Sequence, residues 1–193
     1  MKNKIMYRFI FCLFGLFYSG IVFGQGEANS LEGVPFKERI ITGGGLGLSF
    51  SSYQDFISVS PQIGYMVTRK LIAGTGLTYR YTNYKYYSPS IKLNDFGVNP
   101  FLRFTVFRNI FIQTEYEYLN YEFPLNSRGE TTRENFNSFL AGGGFVQPIG
   151  QKVSFYIMAM YNFSYRDPDP GEYSPYSSPL IIRAGINIGG IGF

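Results

Sequence analysis

Residues 153 to 165 read VSFYIMAMYNFSY. The odd positions are Val153, Phe155, Ile157, Ala159, Tyr161, Phe163 and Tyr165. The even positions mix Ser154, Tyr156, Met158, Met160, Asn162 and Ser164. A period of two is the mark of a strand, because successive side chains point to opposite faces. The same alternation recurs in eight segments: 39–51, 56–68, 71–82, 91–107, 110–122, 137–148, 153–165 and 180–193. Clusters of Gly, Pro, Asn and Ser separate them. Each segment has at least the ~9–11 residues that a tilted strand needs to cross a bilayer. Past the N-terminus no apolar run approaches the roughly 20 residues of a membrane helix. The pattern predicts an all-β fold, an eight-stranded antiparallel up-and-down barrel.

A soluble barrel of the lipocalin kind also alternates, with its apolar face inward and charges outside. A membrane barrel inverts this arrangement. The charges decide between them. One parity collects Ile57, Val59, Ile63, Tyr65 and Val67, then Leu71, Ala73, Leu77, Tyr79 and Tyr81. It continues with Phe96, Val98, Leu102, Phe104 and Val106, and with Ile110, Ile112, Tyr116 and Tyr118; none of these is charged. The other parity carries Arg80, Arg103 and Arg183 against Asp95, Glu115 and Glu117, among Ser58, Ser60, Gln62, Thr78, Asn99, Gln113, Asn162 and Asn187. Three cations balanced by three anions suit a narrow enclosed interior, where each ion needs a partner. An Arg facing lipid at mid-bilayer would cost about 2–4 kcal/mol. The sequence therefore predicts an interior ion-pair network of these six residues inside a transmembrane barrel. Lys92 has outward parity near a strand end, where its stem can snorkel.

Composition fits: only 16% of residues are charged, against about 25% in ordinary soluble domains. Lys2, Lys4 and Arg8 followed by apolar Phe9 to Val22 form a signal-peptide pattern over 1–24, with Val22 and Gly24 placed for cleavage before Gln25. An uncleaved anchor is the alternative and wants a longer apolar run. Cys12 follows Phe11, where a lipoprotein signal wants a small residue. Three positive charges leave with the signal, so the formal +4 becomes +1 and gives no support for nucleic acid as a partner. The mature chain has no Cys, which removes disulfides and thiolate metal sites. Residues 25–38 read as a periplasmic leader and 39–193 as the barrel.

The connections 68–70, 107–109 and 148–152 are tight, 51–55 is intermediate, and 83–90, 123–136 and 166–179 are long. Short turns on one side and longer loops on the other are the layout of outer-membrane barrels, and an even strand number puts both termini on the short-turn, periplasmic side. Tyrosines near strand ends, such as Tyr84, Tyr86, Tyr87, Tyr121 and Tyr165, read as an interfacial girdle in a chain without Trp. Glycines at 43–45 and 47, at 74 and 76, and at 142–144 let a small barrel bend and admit bulky interior neighbours. None of these runs precedes a Lys-Ser/Thr pair, so they are not phosphate cradles. The last segment changes apolar parity between Ile188 and Ile191, which predicts a bulge at Gly189–Gly190.

Residues 39–193, with their repeated alternation, glycine-laced strands and terminal Phe193, resemble the small eight-stranded outer-membrane barrels of the OmpA/OmpX type. The Tyr- and Asn-rich, Trp-free strands look most like versions from Bacteroidota. The resemblance implies that Ile191 and Phe193 form the C-terminal signal read by the barrel-assembly machinery, with outer-membrane lipid as the surrounding solvent. It also implies that no peptidoglycan-binding part follows the barrel. Enzymes among such barrels rely on histidine as a general base, and this chain has no His. A hydroxyl nucleophile without a base is weak. No catalytic residue, cofactor or metal site is therefore predicted. The interior of eight strands is just wide enough for side chains to fill, which disfavours an open pore. Surface interaction remains, through loop tyrosines Tyr84, Tyr86, Tyr87, Tyr173 and Tyr176, which offer rigid contact area or serve only as interface anchors. The expected role is structural or interactive, including that of a subunit in a larger outer-membrane complex. A narrow porin-like channel is the alternative.

Overall fold

The structure is a computed structural model that describes residues 30–85, 87–125, 130–167, 169, 174–176 and 178–190. The expected signal peptide lies outside these residues, as do Tyr86, Tyr173, Ile191 and Phe193. The chain divides into two units after Gly33, and the second holds the whole sheet. It begins with a 3-10 turn, Phe36–Arg39, where the expected leader meets the barrel; the Glu38 N–H donates to the Pro35 carbonyl and the Arg39 Nε to the Val34 carbonyl.

Eight strands follow: β1 (Ile40–Phe50), β2 (Gln54–Met66), β3 (Leu71–Tyr84), β4 (Ile91–Phe107), β5 (Ile110–Pro124), β6 (Thr131–Pro148), β7 (Val153–Asn162) and β8 (Leu180–Gly189). Each pairs antiparallel with its sequence neighbours, and β1 pairs with β8 to close the barrel. Antiparallel neighbours need only tight turns. Thr68 makes one of them, its Oγ1 accepting from the N–H groups of Lys70 and Leu71. The turn between β4 and β5 is only Arg108-Asn109, with Arg108 at φ 44° and a register shift between Thr105 and Phe107.

The apolar parity faces outward on every strand. Leu46, Ile63, Leu77, Leu102, Ile112, Phe139, Ile157 and Ile182 are exposed, while Glu115, Glu117, Gln113, Asn162 and Asn187 are buried. The longest exposed rows run nine to eleven residues, for example Phe96 to Val106 on β4 and Ile110 to Tyr118 on β5. At ~3.3 Å per residue and ~40° tilt this makes a belt roughly 25 Å tall.

Strand ends differ from expectation. β6 begins at Thr131, six residues before the expected start, and the loop predicted at 123–136 shrinks to 125–130. The added pairing is polar: Arg133 reaches Glu122 (2.8 Å) and Asn120 (2.7 Å), and Asn120 donates to Asn135 (2.9 Å). These groups stand above the apolar belt, where hydrophobic alternation carries no signal. β7 stops at Asn162, because its Oδ1 accepts from the Ser164 N–H and turns the chain. Tyr121, expected in the girdle, takes the inward parity and packs on Phe123 and Phe136. β8 ends at Gly189, and Gly189 and Gly190 both take left-handed φ (92° and 80°) at the expected bulge.

Candidate functional site

The candidate site is the barrel lumen, and three zones fill it. At the short-turn end, Ile41, Met66, Ile72, Phe101, Phe111 and Val146 are buried and form an apolar plug. Two inward glycines make room for its rings. A Cβ on Gly74 would lie 2.5 Å from Phe101 Cζ, and one on Gly144 would lie 2.7 Å from Phe111 Cζ. Along β5–β8 the packing continues upward through Leu140, Tyr156, Met158 and Met160.

The second zone is ionic. Arg183 reaches across from β8 to β5, donating from Nη1 to Glu115 (2.6 Å) and from Nη2 to Glu117 (3.1 Å). Arg80 on β3 stands 3.8 Å from Glu117, beyond hydrogen-bonding distance. The spacing explains the convergence: Glu115 and Glu117 share one face of β5, so one fork-shaped guanidinium can hold both. Tyr176, proposed from sequence as a partner-binding loop residue, instead folds over the lumen. Its hydroxyl donates to Glu117, and its ring lies under the Arg80 guanidinium. Tyr84 ends β3, and Tyr87 sits in the turn that follows.

Two of the six charges expected in the ion-pair network are held differently. Arg103 has no carboxylate within 4 Å among the described residues. Its Nε donates to Gln113 Oε1 (2.8 Å), and Gln113 in turn donates to Glu115 (3.0 Å). The guanidinium lies 4.5 Å from the Phe111 ring centre, 5.1 Å from Tyr156 and 5.5 Å from Phe101, so a cage of aromatic faces takes the place of a carboxylate. Asp95 accepts from the Glu122 backbone N–H at 3.0 Å, not from an arginine. Period-two reasoning puts these groups inside but cannot pair them, because it reports which face a residue takes and not the register that sets its neighbours.

The third zone is a cavity of about 380 Å³, on the side where β1 contributes inward glycines. Gly45 and Gly47 line it together with Ser58, Ser60, Gln62, Thr78 and Asn99. Arg80 and Arg183 look into it, with 16% and 23% of their side chains exposed, while Glu115 and Glu117 are 1% exposed. Glu115 still touches the cavity lining, while Glu117 lies outside it behind the guanidiniums. Pro175 and Tyr176 form its rim.

The seam beside this cavity is incomplete. β1 and β8 pair only over Ile41–Gly44 against Gly189–Ile186. Above that point β1 remains paired with β2 to Phe50, and β8 with β7 to Leu180, but the two facing edges do not pair with each other. Sequence periodicity gave no sign of this opening, since it reports which face a residue takes and not where a ladder stops.

Among the described residues no cluster of three His, Cys, Asp or Glu could hold a metal ion. No protein-family model matches the chain, and no curated protein matches it. Among solved structures it is similar to the N-terminal β-barrel domain of Pseudomonas aeruginosa OprF, with 11% identity and a TM-score of 0.44, over 78% of this chain and 96% of that domain.

Proposed function

We propose that the chain is an integral outer-membrane barrel without enzymatic activity, serving a structural or interaction role in the envelope. The carrying observation is the inversion of the faces, with an uncharged apolar belt outside and a neutral set of three arginines and three carboxylates within. In water such a surface would drive association, and in lipid it is the favoured arrangement. The short-turn end and both termini belong on the periplasmic side in this reading. The longer β5–β6 hairpin, with its Arg133–Glu122 network, then faces the exterior. A Bacteroidota origin belongs to the same proposal and rests on the Tyr- and Asn-rich, Trp-free strands alone.

The apolar plug and the caged Arg103 argue against a conducting path. Planar-bilayer recording on the refolded barrel tests this: a quiet baseline is expected, and reproducible conductance steps would replace the reading with a narrow channel. The role of accessory subunit is tested by gentle detergent extraction from the native host. A larger outer-membrane protein should co-purify in stoichiometric amount, and recovery of the barrel alone would leave an independent envelope component.

A further inference from the structure

We propose that the lumen is a lateral binding site for an amphiphile with a phosphate-class headgroup. The headgroup enters between β1 and β8, and the alkyl chain stays in the membrane. This rests on the membrane reading above and adds a ligand to it.

Three observations converge on it. First, extrapolating the β1–β8 register past Gly44 and Ile186 sets Leu46 opposite Ala184, Gly47 opposite Arg183 and Leu48 opposite Ile182; none of these is a ladder pair, although at Gly45 the β8 backbone is still close, with a Cβ there 2.9 Å from the Ala184 carbonyl oxygen. Two facing strand edges would therefore stand unpaired within the apolar belt, where each unsatisfied backbone group costs several kcal/mol in hydrocarbon. An occupied or hydrated slit relieves that cost; a lipid-filled seam does not.

Second, the slit leads into the cavity. Leu46 and Ile182, exposed on the outer face (65% and 69%), line the same 380 Å³ space as Arg80 and Arg183. That volume lies within the ~300–1,000 Å³ of small-molecule sites. It exists because β1 presents Gly43, Gly45 and Gly47 inward, so that wall has no side chains.

Third, the chemistry is polarised. The polar lining is rich in donors and both guanidiniums are partly open to the cavity, whereas Glu115, its one lining carboxylate, has only 1% of its side chain exposed. Arg80 keeps its donors unspent on Glu117, at 3.8 Å. A ligand entering the cavity thus meets arginine forks suited to phosphate oxygens. Outside, Leu46, Leu48, Leu180 and Ile182 flank the exit with aliphatic surface for a chain.

Gly47 provides the discriminating substitution. A Cβ there meets only ordinary contacts, Ser58 Cβ at 3.4 Å and Phe56 at 3.6 Å, whereas one at Gly43 or Gly45 meets backbone oxygen. Gly47→Leu should therefore fold and fill the cavity at the slit. The experiment is native mass spectrometry of the full barrel released from octyl glucoside, with dodecyl phosphate, inorganic phosphate or dodecyl maltoside added. A single dodecyl phosphate adduct is expected, retained at least tenfold better than the other two probes. It should weaken at least tenfold in Gly47→Leu and in Arg80→Gln, and persist in the lipid-facing control Val98→Leu. Equal retention of inorganic phosphate would reduce the site to an anion pocket and overturn lateral entry. Unchanged binding in Gly47→Leu would overturn the location, and a dimer in place of the adduct would assign the slit to a second copy. Vesicle insertion of the same samples is scored separately, so failure of the membrane reading is distinguishable from failure of the site.

Discussion

Arg183 is the residue whose loss should damage the barrel most directly. It is the cation that hydrogen-bonds both Glu115 and Glu117, at 2.6 and 3.1 Å, and both carboxylates are 1% exposed. Arg183→Met keeps much of the volume and leaves two like charges two residues apart on β5. Their remaining cation is Arg80, 3.8 Å from Glu117. Removing one partner of a buried pair costs 3–5 kcal/mol, and partial hydration from the cavity puts this case near the lower end, about 3 kcal/mol. With a urea slope of about 2 kcal/mol/M for a chain of this size, the unfolding midpoint in lipid vesicles should fall by roughly 1.5 M. The double variant Arg183→Met/Glu115→Gln removes one of the stranded charges and should recover about half of that loss. The assay is urea titration of the inserted barrel, followed by tyrosine fluorescence and by band shift in unheated gels. A midpoint unchanged for Arg183→Met, or a double variant less stable than the single one, would refute the claim that this guanidinium neutralises a sealed pair.

Other perturbations separate the remaining parts of the account. Leu102→Arg, on the outward row of β4, should cost about 2–4 kcal/mol by the same titration, because it places a charge near the middle of the belt. Gly144→Val should block folding, since its side chain would enter the space of Met158 and Phe111; the check is the yield of heat-modifiable barrel. Tyr176→Phe removes the hydroxyl that donates to Glu117, and amide exchange at Ser174 and residue 176 should speed up severalfold while the strands stay protected.

The parts of this structure legible in the sequence are those that obey local periodicity. Strand number, the outward aliphatic rows and the inward position of Arg80, Arg103, Glu115, Glu117 and Arg183 all follow from alternation. What alternation cannot carry is partnership across the lumen. Arg183 meets its carboxylates from 66 and 68 residues away, and the cage around Arg103 draws rings from β4, β5 and β7. Polar strand extensions were equally hidden: Arg133 and Asn135 look like loop residues until Glu122 and Asn120 stand opposite them. The glycine run on β1 was legible as a bend, but its larger consequence, a bare wall beside an open seam, depends on where closure pairing ends.

Orientation of the two faces is the claim on which the rest depends, and β7 measures it most directly. In a Cys12→Ser background, nitroxide labels placed singly at positions 154 to 161 in reconstituted vesicles report collisions with lipid-dissolved oxygen. The account predicts a period of two, with strong collisions at the positions of Phe155, Ile157, Ala159 and Tyr161 and weak ones at Ser154, Tyr156, Met158 and Met160. The opposite phase, or strong water-soluble quenching along the odd row, would contradict it and return the chain to the class of soluble barrels.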